Sequence, residues 1–205
     1  MRDLGFVLVG GRLAVDFCNL PSLPATAATN TLSWEELVCF LRASRIISPE
    51  RSHELLALTE SDPKAAFDLL NRAKRLRDAL RFCFEALAAK DHIARDRVIP
   101  INEVLRVTEG HDEVVESGHS WKIEFLARED SLDWLLAAVA RSAAELITEG
   151  ETSRIRLCAN PTCSLFFYDD SRTHRRRWCS MALCGNRHKV AAFARRHSAR
   201  RAARA

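Results

Sequence analysis

Cys158-Ala-Asn-Pro-Thr-Cys163 and Cys179-Ser-Met-Ala-Leu-Cys184 are the two stretches that decide how the C-terminal part of this chain folds. Each contains two cysteines separated by four residues, and fifteen residues lie between the two pairs. Structural zinc sites are tetrahedral, and two short loops that present two thiolates each supply a complete set of ligands. The spacing therefore predicts one structural zinc ion per chain, bound by Cys158, Cys163, Cys179 and Cys184.

Three alternatives to a four-cysteine zinc site remain open at this point. The four thiols could be buried without a metal, or they could hold an iron–sulfur cluster, although the wide spacing matches no cluster motif. One of three nearby histidines, His174, His188 and His197, could also replace a cysteine. The paired symmetry favours four thiolates, and such a site has no vacant position for water, so we expect the zinc to be structural rather than catalytic.

The charge of the chain is divided unevenly. The net charge is +4, but residues 151–205 carry 13 Lys and Arg against 3 Asp and Glu, which leaves residues 1–150 at −6. A segment of +10 predicts a polyanionic partner, with a solvated, solubilising tail as the alternative. A zinc ion with four thiolates needs only part of this charge. The cations that we expect to bind nucleic acid are Arg172, Arg175, Arg176, Arg177, Arg187, Lys189, Arg195, Arg196 and Arg200.

The cysteines belong to a longer pattern. Phe167-Tyr-Asp-Asp-Ser-Arg172 follows the first pair, Arg176-Arg-Trp-Cys-Ser-Met181 contains the third cysteine, and Cys184-Gly-Asn-Arg187 contains the fourth. This stretch resembles the CGNR zinc finger. The resemblance implies a small zinc-binding domain found at the C-terminus of bacterial proteins, for which DNA binding is the expected role.

The N-terminal segment contains polar residues among apolar ones. Residues 6–20 form two short apolar runs around Gly10-Gly11, which predicts a tight β-hairpin. Arg12, Asp16 and Asn19 are candidates either for contacts with a small ligand or for hydrogen bonds that fix the fold, and an ordinary strand-end cap is a further option. Gly11-Arg12, Asp16-Phe17 and Asn19 resemble the start of the ABATE domain, in which a threonine rather than Leu20 usually follows the asparagine. The resemblance implies a stress-response transcription regulator.

Capping signals predict most of the remaining elements. Ser33-Trp-Glu-Glu36 is a capping box that opens a helix to about Arg45. Ser48-Pro49, Asp62-Pro63 and Pro100 open further helices, because proline suits the first helical position. A second hairpin turns at Ser117-Gly118-His119, and Asp130-Ser131 caps a helix that Gly150 ends.

The finger itself should contain a strand pair and a helix. Residues 154–158 and 165–168 alternate as strands, and Asn186 is expected to cap the last helix. These parts would make a treble-clef-like finger. The predicted fold class is α+β and mostly helical, with a helical domain with short hairpins at residues 1–150 and the zinc finger, with its basic C-terminal helix, at residues 151–205.

Several function classes receive little support. The chain has no Gly-rich phosphate loop, no His-Glu-x-x-His helix and no nucleophile elbow, so we expect no enzyme. No signal peptide is recognisable, no apolar run approaches the roughly 18 residues of a membrane span, and Cys18, Cys39 and Cys83 occur singly in apolar contexts. These features predict a cytoplasmic protein without a membrane partner.

The predicted function is a bacterial DNA-binding transcription regulator. Its N-terminal domain would sense a small-molecule ligand or form homo-oligomers. The alternative is an RNA-binding or ribosome-associated finger, in which aromatic side chains stack on bases. The rings available for this are Phe166, Phe167, Tyr168 and Trp178, although a miniature core around the zinc is the preferred interpretation of them. A third class, an enzyme with a zinc staple, rests only on Asp16, Asn19 and polar residues without an assigned role.

Overall fold

The computed structural model describes residues 8–20, 32–107, 110–117, 120–127, 132–150, 154–190 and 193–194. Within these ranges the protein is mostly helical, with two separate two-stranded antiparallel sheets. The predicted class, α+β and mostly helical, is confirmed. The helices are α1 Leu13–Cys18, α2 Trp34–Ala43, α3 Pro49–Ser61, α4 Pro63–Ala89, α5 Ile99–Val107 and α6 Ala137–Thr148. The strands are β1 Gly110–Ser117, β2 Ser120–Ala127, β3 Ile155–Leu157 and β4 Phe166–Tyr168.

Capping chemistry sets the helix starts as the sequence predicted. Before α2, Ser33 Oγ accepts a hydrogen bond from the Glu36 backbone N–H at 3.2 Å, and the Glu36 carboxylate accepts one from the Ser33 N–H at 2.8 Å. This reciprocal pair satisfies two N–H groups that the helix itself cannot satisfy. The side chains of Ser48 and Asp62 cap α3 and α4 in a similar way, each directly before a proline. Lys90 adopts a left-handed conformation and ends α4.

The first predicted hairpin is wrong, because the segment after Gly10-Gly11 is helix α1. Gly11 has a φ of +75°, which turns the chain into the helix and suits a residue without a side chain. The buried residues of α1 are Ala14, Val15, Phe17 and Cys18, a spacing that places them on one side of a helix. A run this short satisfies strand and helix periodicity equally well, so contacts with the rest of the core decide between them.

Helix α4 is the centre of the main hydrophobic core. It is 27 residues long and packs against α1, α2, α3, α5, α6 and strand β3. Aromatic pairs fill the spaces around it: the ring centroids of Phe17 and Phe40 lie 5.4 Å apart, and those of Phe84 and Phe166 lie 6.2 Å apart. Because Phe166 comes from β4, the core is shared with residues beyond position 150.

The second predicted hairpin is confirmed. Strands β1 and β2 pair in antiparallel register from Gly110 opposite Ala127 to Ser117 opposite Ser120. Helix α6 follows a 3-10 turn, Leu132–Leu136, and the chain takes up a positive φ of 54° at Gly150. The predicted cap at positions 130–131 lies outside the described residues. Across the ranges that the structure describes, no helix combines the length and the apolar character needed to span a membrane.

Candidate metal centre

Strands β3 and β4 present the first pair of cysteines. The two strands are antiparallel, with Ile155 opposite Tyr168, and the Cys158 N–H donates to the Leu165 carbonyl at 3.0 Å, which continues the ladder. Between them, the Cys163 N–H donates to the Asn160 carbonyl at 2.9 Å and closes a turn. The predicted strand pair is therefore confirmed, and both thiols of this pair lie at the closed end of the hairpin.

The second pair of cysteines flanks the start of a helix. Ser180 caps this helix: its hydroxyl accepts from the Leu183 N–H at 3.4 Å, and its carbonyl accepts from the N–H groups of Cys184 and Gly185 at 3.0 Å each. The first turn, Met181–Gly185, is π-helical, and residues 186–190 continue as α-helix. Asn186 was predicted as the cap, but it already has helical angles, because the earlier Ser180 hydroxyl reaches the free N–H groups first.

Gly185 lies in a tightly packed turn. A Cβ atom built at this position would lie 2.6 Å from Met181 Sδ and 3.3 Å from the Trp178 ring. The end of the Met181 side chain is flexible and half-exposed and moves aside at little cost, whereas the Trp178 ring would have to shift by a few tenths of an ångström. A glycine therefore suits this tight turn beside Cys184.

The four thiols have the geometry of a tetrahedral zinc site. All four Sγ atoms lie within 4.8 Å of one another, with 3.9 Å between Cys163 and Cys179 and 3.7 Å between Cys179 and Cys184. Sulfurs about 2.3 Å from a central zinc ion form a tetrahedron with edges of about 3.8 Å, whereas a disulfide requires about 2.05 Å. All four side chains are buried. The predicted cofactor, one structural zinc ion, is confirmed by this fit.

The electrostatics of the thiols also fit a cation at the centre. Burial, with repulsion from Cys158, raises the pKa of Cys163 to about 11, and burial beside the other thiols raises the pKa of Cys179 as well. For Cys184 burial also opposes ionisation, but hydrogen bonds from Asn160 and from the neighbouring thiols lower its pKa. Four adjacent thiolates would repel one another in this buried site. A divalent cation removes that repulsion and supplies the charge that lets all four ionise.

No histidine joins this group in the part of the chain that the structure describes. The His188 ring stacks on Trp178, with 4.7 Å between the ring centroids. His174 has a positive φ of 48°, and its carbonyl accepts from Arg156 at 3.2 Å. His197 lies outside the described residues.

A buried carboxylate organises the segment between the two cysteine pairs. Asp169 is fully buried and accepts hydrogen bonds from the Ser171 hydroxyl at 2.6 Å, the Ser171 N–H at 3.2 Å and the Arg176 N–H at 3.0 Å. Burial opposes ionisation, but these bonds lower the pKa of Asp169 and keep it charged. Asp169 was not predicted to have a role of its own, although Asp169-Asp170-Ser171 has the composition of a side-chain-stabilised turn.

Arg176 is bound to the protein itself. Its guanidinium donates to the carbonyls of Trp178, at 3.0 Å, and Cys179. It also lies over the Phe167 ring, with 4.6 Å from the guanidinium carbon to the ring centroid. These contacts hold the backbone that leads into the third zinc ligand.

Replacing Arg176 by alanine should therefore destabilise the finger. We expect a loss of about 1–3 kcal/mol, because the guanidinium's hydrogen bonds to the two carbonyls disappear. Arg175→Ala removes the same charge from an exposed neighbour and should change stability by no more than about 0.5 kcal/mol. Denaturation of the zinc-loaded chain measures both variants. Equal stabilities for the two variants would contradict the role that we assign to Arg176.

The other predicted nucleic-acid contacts lie at the surface wherever the structure describes them. Arg177 lies 5.2 Å from the Trp178 ring centroid, and its carbonyl accepts from the Ala159 N–H at 2.8 Å. Arg195, Arg196 and Arg200 lie outside the described residues. The exposed cations of the finger are Arg172, Arg175, Arg177, Arg187 and Lys189, together with Arg154 and Arg156, which we had not predicted as contacts.

The N-terminal candidates all make contacts within the protein, although Arg12 itself is exposed. Asp16 Oδ1 accepts from the Gly10 N–H at 2.7 Å, and burial raises the Asp16 pKa to about 6 although backbone hydrogen bonds oppose the shift. The Asn19 side chain bonds to the backbone of Phe166, and the Arg12 guanidinium lies 4.1 Å from the centroid of the Tyr168 ring. These residues thus contact the β4 segment or the loop before α1.

The fold and the site together define a helical protein joined to a four-cysteine zinc finger. Two family models match the chain in the same order: ABATE, described as "Putative stress-induced transcription regulator", over residues 11–150, and the CGNR zinc finger over residues 154–197. The chain belongs to the ABATE family and carries a CGNR zinc finger, as its sequence resemblance indicated. Both descriptions are of regulator and zinc-finger types rather than enzymes. Among curated proteins no match is found.

Proposed function

We propose that this protein is a bacterial transcription regulator that binds DNA through the surface of its zinc finger. The supporting observation is that the finger's cations are exposed around a metal-ordered backbone, in a segment whose net charge is +10. Arginine suits this role because its planar guanidinium donates two hydrogen bonds at once to a phosphate or a guanine. The cations that support the proposal are Arg172, Arg175, Arg177, Arg187 and Lys189.

In this proposal, different residues of the finger have different roles. Zinc, held by four cysteines, orders the finger and has no position left for a reacting water. Exposed loop arginines such as Arg175 contact phosphates, which gives affinity without sequence preference. Lys189, on the helical segment 186–190, is better placed for base edges if that helix enters the major groove. Arg196 has the same proposed role, from outside the described residues.

The domain roles are part of the same proposal. Residues 1–150 form the regulatory domain, which senses a small molecule or assembles the protein into homo-oligomers, and residues 151–205 form the DNA-binding domain. The regulator has no catalytic activity in this view, and it acts in the cytoplasm, where bacterial DNA is found. The description "Putative stress-induced transcription regulator" for the family that matches residues 11–150 supports a regulatory role for this part of the chain.

RNA binding is the weaker alternative. It relies on aromatic rings that stack on bases, but three of the four candidate rings, Phe166, Phe167 and Tyr168, are buried. Phe167 packs in the cluster around the cysteines, and the other two lie in the main core. Only Trp178 remains partly accessible among them, and it already stacks on His188.

Competition binding tests the proposal directly. Zinc-loaded full-length protein bound to labelled duplex DNA should be displaced by unlabelled duplex more readily than by structured RNA. Because cations displace counterions from phosphates, log affinity should fall with log salt by about 0.9 per phosphate contacted. Affinity that stays flat from low to high salt would remove nucleic acid as the partner. Stronger competition by RNA would replace the DNA proposal with the alternative.

A further inference from the structure

Strand β4 is bonded along both of its edges. On one edge it pairs with β3. On the other, the Asn19 side-chain amide donates to the Phe166 carbonyl and its oxygen accepts from the Phe166 N–H, both at 2.9 Å, and the Tyr168 N–H donates to the Gly10 carbonyl at 2.7 Å. Backbone groups of alternate strand residues point to opposite edges. The N-terminal segment therefore takes the position that a third strand would take. We call the contacts of Gly10 and Asn19 with this edge, together with the Asp16 side chain that holds Gly10, the β4 clasp.

Several further contacts stabilise the clasp. Asp16 Oδ1 holds the Gly10 N–H at 2.7 Å, and a Cβ atom at Gly10 would lie 2.8 Å from the Asp16 nitrogen, so the approach needs a glycine. Arg12 covers the Tyr168 ring at 4.1 Å. The Tyr168 hydroxyl lies 3.2 Å from both carboxylate oxygens of Glu149, directly after α6. Together these contacts attach β4 to the segment before α1 and to Glu149 at the end of α6.

The two faces of β4 belong to two different cores. Side chains alternate along a strand, so Phe166 and Tyr168 share one face and Phe167 has the other. Phe166 and Tyr168 are buried in the main core with the helices, whereas Phe167 is buried in the cluster formed by the four cysteines. A displacement of β4 therefore disturbs the helical core and the zinc site at the same time.

We infer that the β4 clasp couples zinc binding to the stability of the N-terminal helices, with Asn19 as the positioning residue of this coupling. The finger is then a fixed part of the helical body rather than a module on a flexible tether. Coupling of this kind is reciprocal: loss of zinc loosens α1 and its contacts with α4, and loosening of the clasp weakens zinc retention. Any event that displaces residues 10–19 releases the finger. This inference does not depend on DNA binding.

Hydrogen exchange on the unmodified full-length chain is the decisive test. Removal of zinc with a chelator should accelerate amide exchange in α1 and in α4 as well as in the finger. Helix α3 provides an internal comparison, because it packs against α2 and α4 and should change less. If exchange in α1 and α4 is the same with and without zinc, the inference is overturned, whatever the variants below show.

Asn19→Ala tests the clasp from the other side. This variant removes both bonds to Phe166, and we expect zinc release to a chelator to be about tenfold faster, which corresponds to about 1.4 kcal/mol. Asn19→Asp keeps the acceptor for the Phe166 N–H but places a carboxylate oxygen against the Phe166 carbonyl, so zinc release at least as fast as from Asn19→Ala is expected. Asn102→Ala, at an exposed position on α5, is the matched control and should release zinc at the native rate. Release from folded Asn19→Ala at the native rate would overturn the role of Asn19.

Discussion

Cys179→Ser should leave the chain without zinc and unfold the finger. Cys179 is fully buried, and its sulfur lies 3.9 Å from that of Cys163 and 3.7 Å from that of Cys184. A serine hydroxyl does not replace a thiolate in such a site. Structural zinc contributes roughly 10–16 kcal/mol to the folding of finger peptides, which is comparable to the whole stability of an ordinary domain, about 5–15 kcal/mol. Metal analysis should show the loss of one zinc ion per chain, and limited proteolysis should show cleavage within residues 154–190.

Cys179→Ser should destabilise the helical part of the protein less than the finger. Helices α2 and α3 pack against each other and against α4, so helices α1–α6 should stay folded while they lose stability. Cys39→Ser, on α2 and outside the zinc group, is the matched thiol control and should retain one zinc ion per chain. If Cys179→Ser keeps its zinc and a protease-resistant finger, the ligand assignment is wrong.

Removing three exposed arginines of the finger should greatly reduce the salt-sensitive component of DNA binding. The variant Arg172→Ala/Arg175→Ala/Arg187→Ala removes three surface cations but leaves Arg176, which supports the backbone. If each arginine contacts one phosphate, the slope of log affinity against log salt should flatten by about three units. Anisotropy titrations of labelled duplex DNA at several salt concentrations measure this slope. Metal content close to one zinc ion per chain would show that the finger still folds.

A second triple variant distinguishes DNA binding by the finger surface from DNA binding that depends on net charge alone. Lys64 and Arg75 are exposed on α4, and Arg106 is exposed on α5. Their combined replacement by alanine removes the same charge from the helical part. This control should bind DNA with nearly the native salt slope. If both triple variants flatten the slope equally, binding follows net charge and the proposed DNA-binding surface is incorrect.

The zinc ligands were predictable because they follow from local spacing. Two cysteine pairs with equal spacing define four ligands without knowledge of distant contacts, and the structure brings the four sulfurs within 4.8 Å of one another. The same holds for the capping box at Ser33 and the proline-initiated helices α3 and α4. Each depends on residues within a few positions, so the chemistry that sets it can be read along the chain.

The sequence did not reveal which polar residues the protein uses internally. Arg176 and Arg175 are adjacent and chemically identical, yet the first supports the third zinc ligand and the second is exposed. Both were predicted to contact nucleic acid, because charge alone does not distinguish a guanidinium that has carbonyl partners from one that faces water. Asp169 had no assigned role for the same reason, since its burial depends on how the turn folds back onto Arg176.

The sequence by itself determined the zinc finger, most helix boundaries and the charge asymmetry, because each of these arises from neighbouring residues or from composition. Only the tertiary structure decided that residues 13–18 are helical and that Asn19 bonds to a strand 147 positions away. A short apolar run fits a helix or a strand equally well, and an amide side chain bonds to whichever backbone group lies within reach. The packing of β4 against α1 and α4 decides both the conformation of residues 13–18 and the partner of Asn19. It buries one face of α1, and it leaves the outer backbone N–H and C=O groups of Phe166 for Asn19 to satisfy.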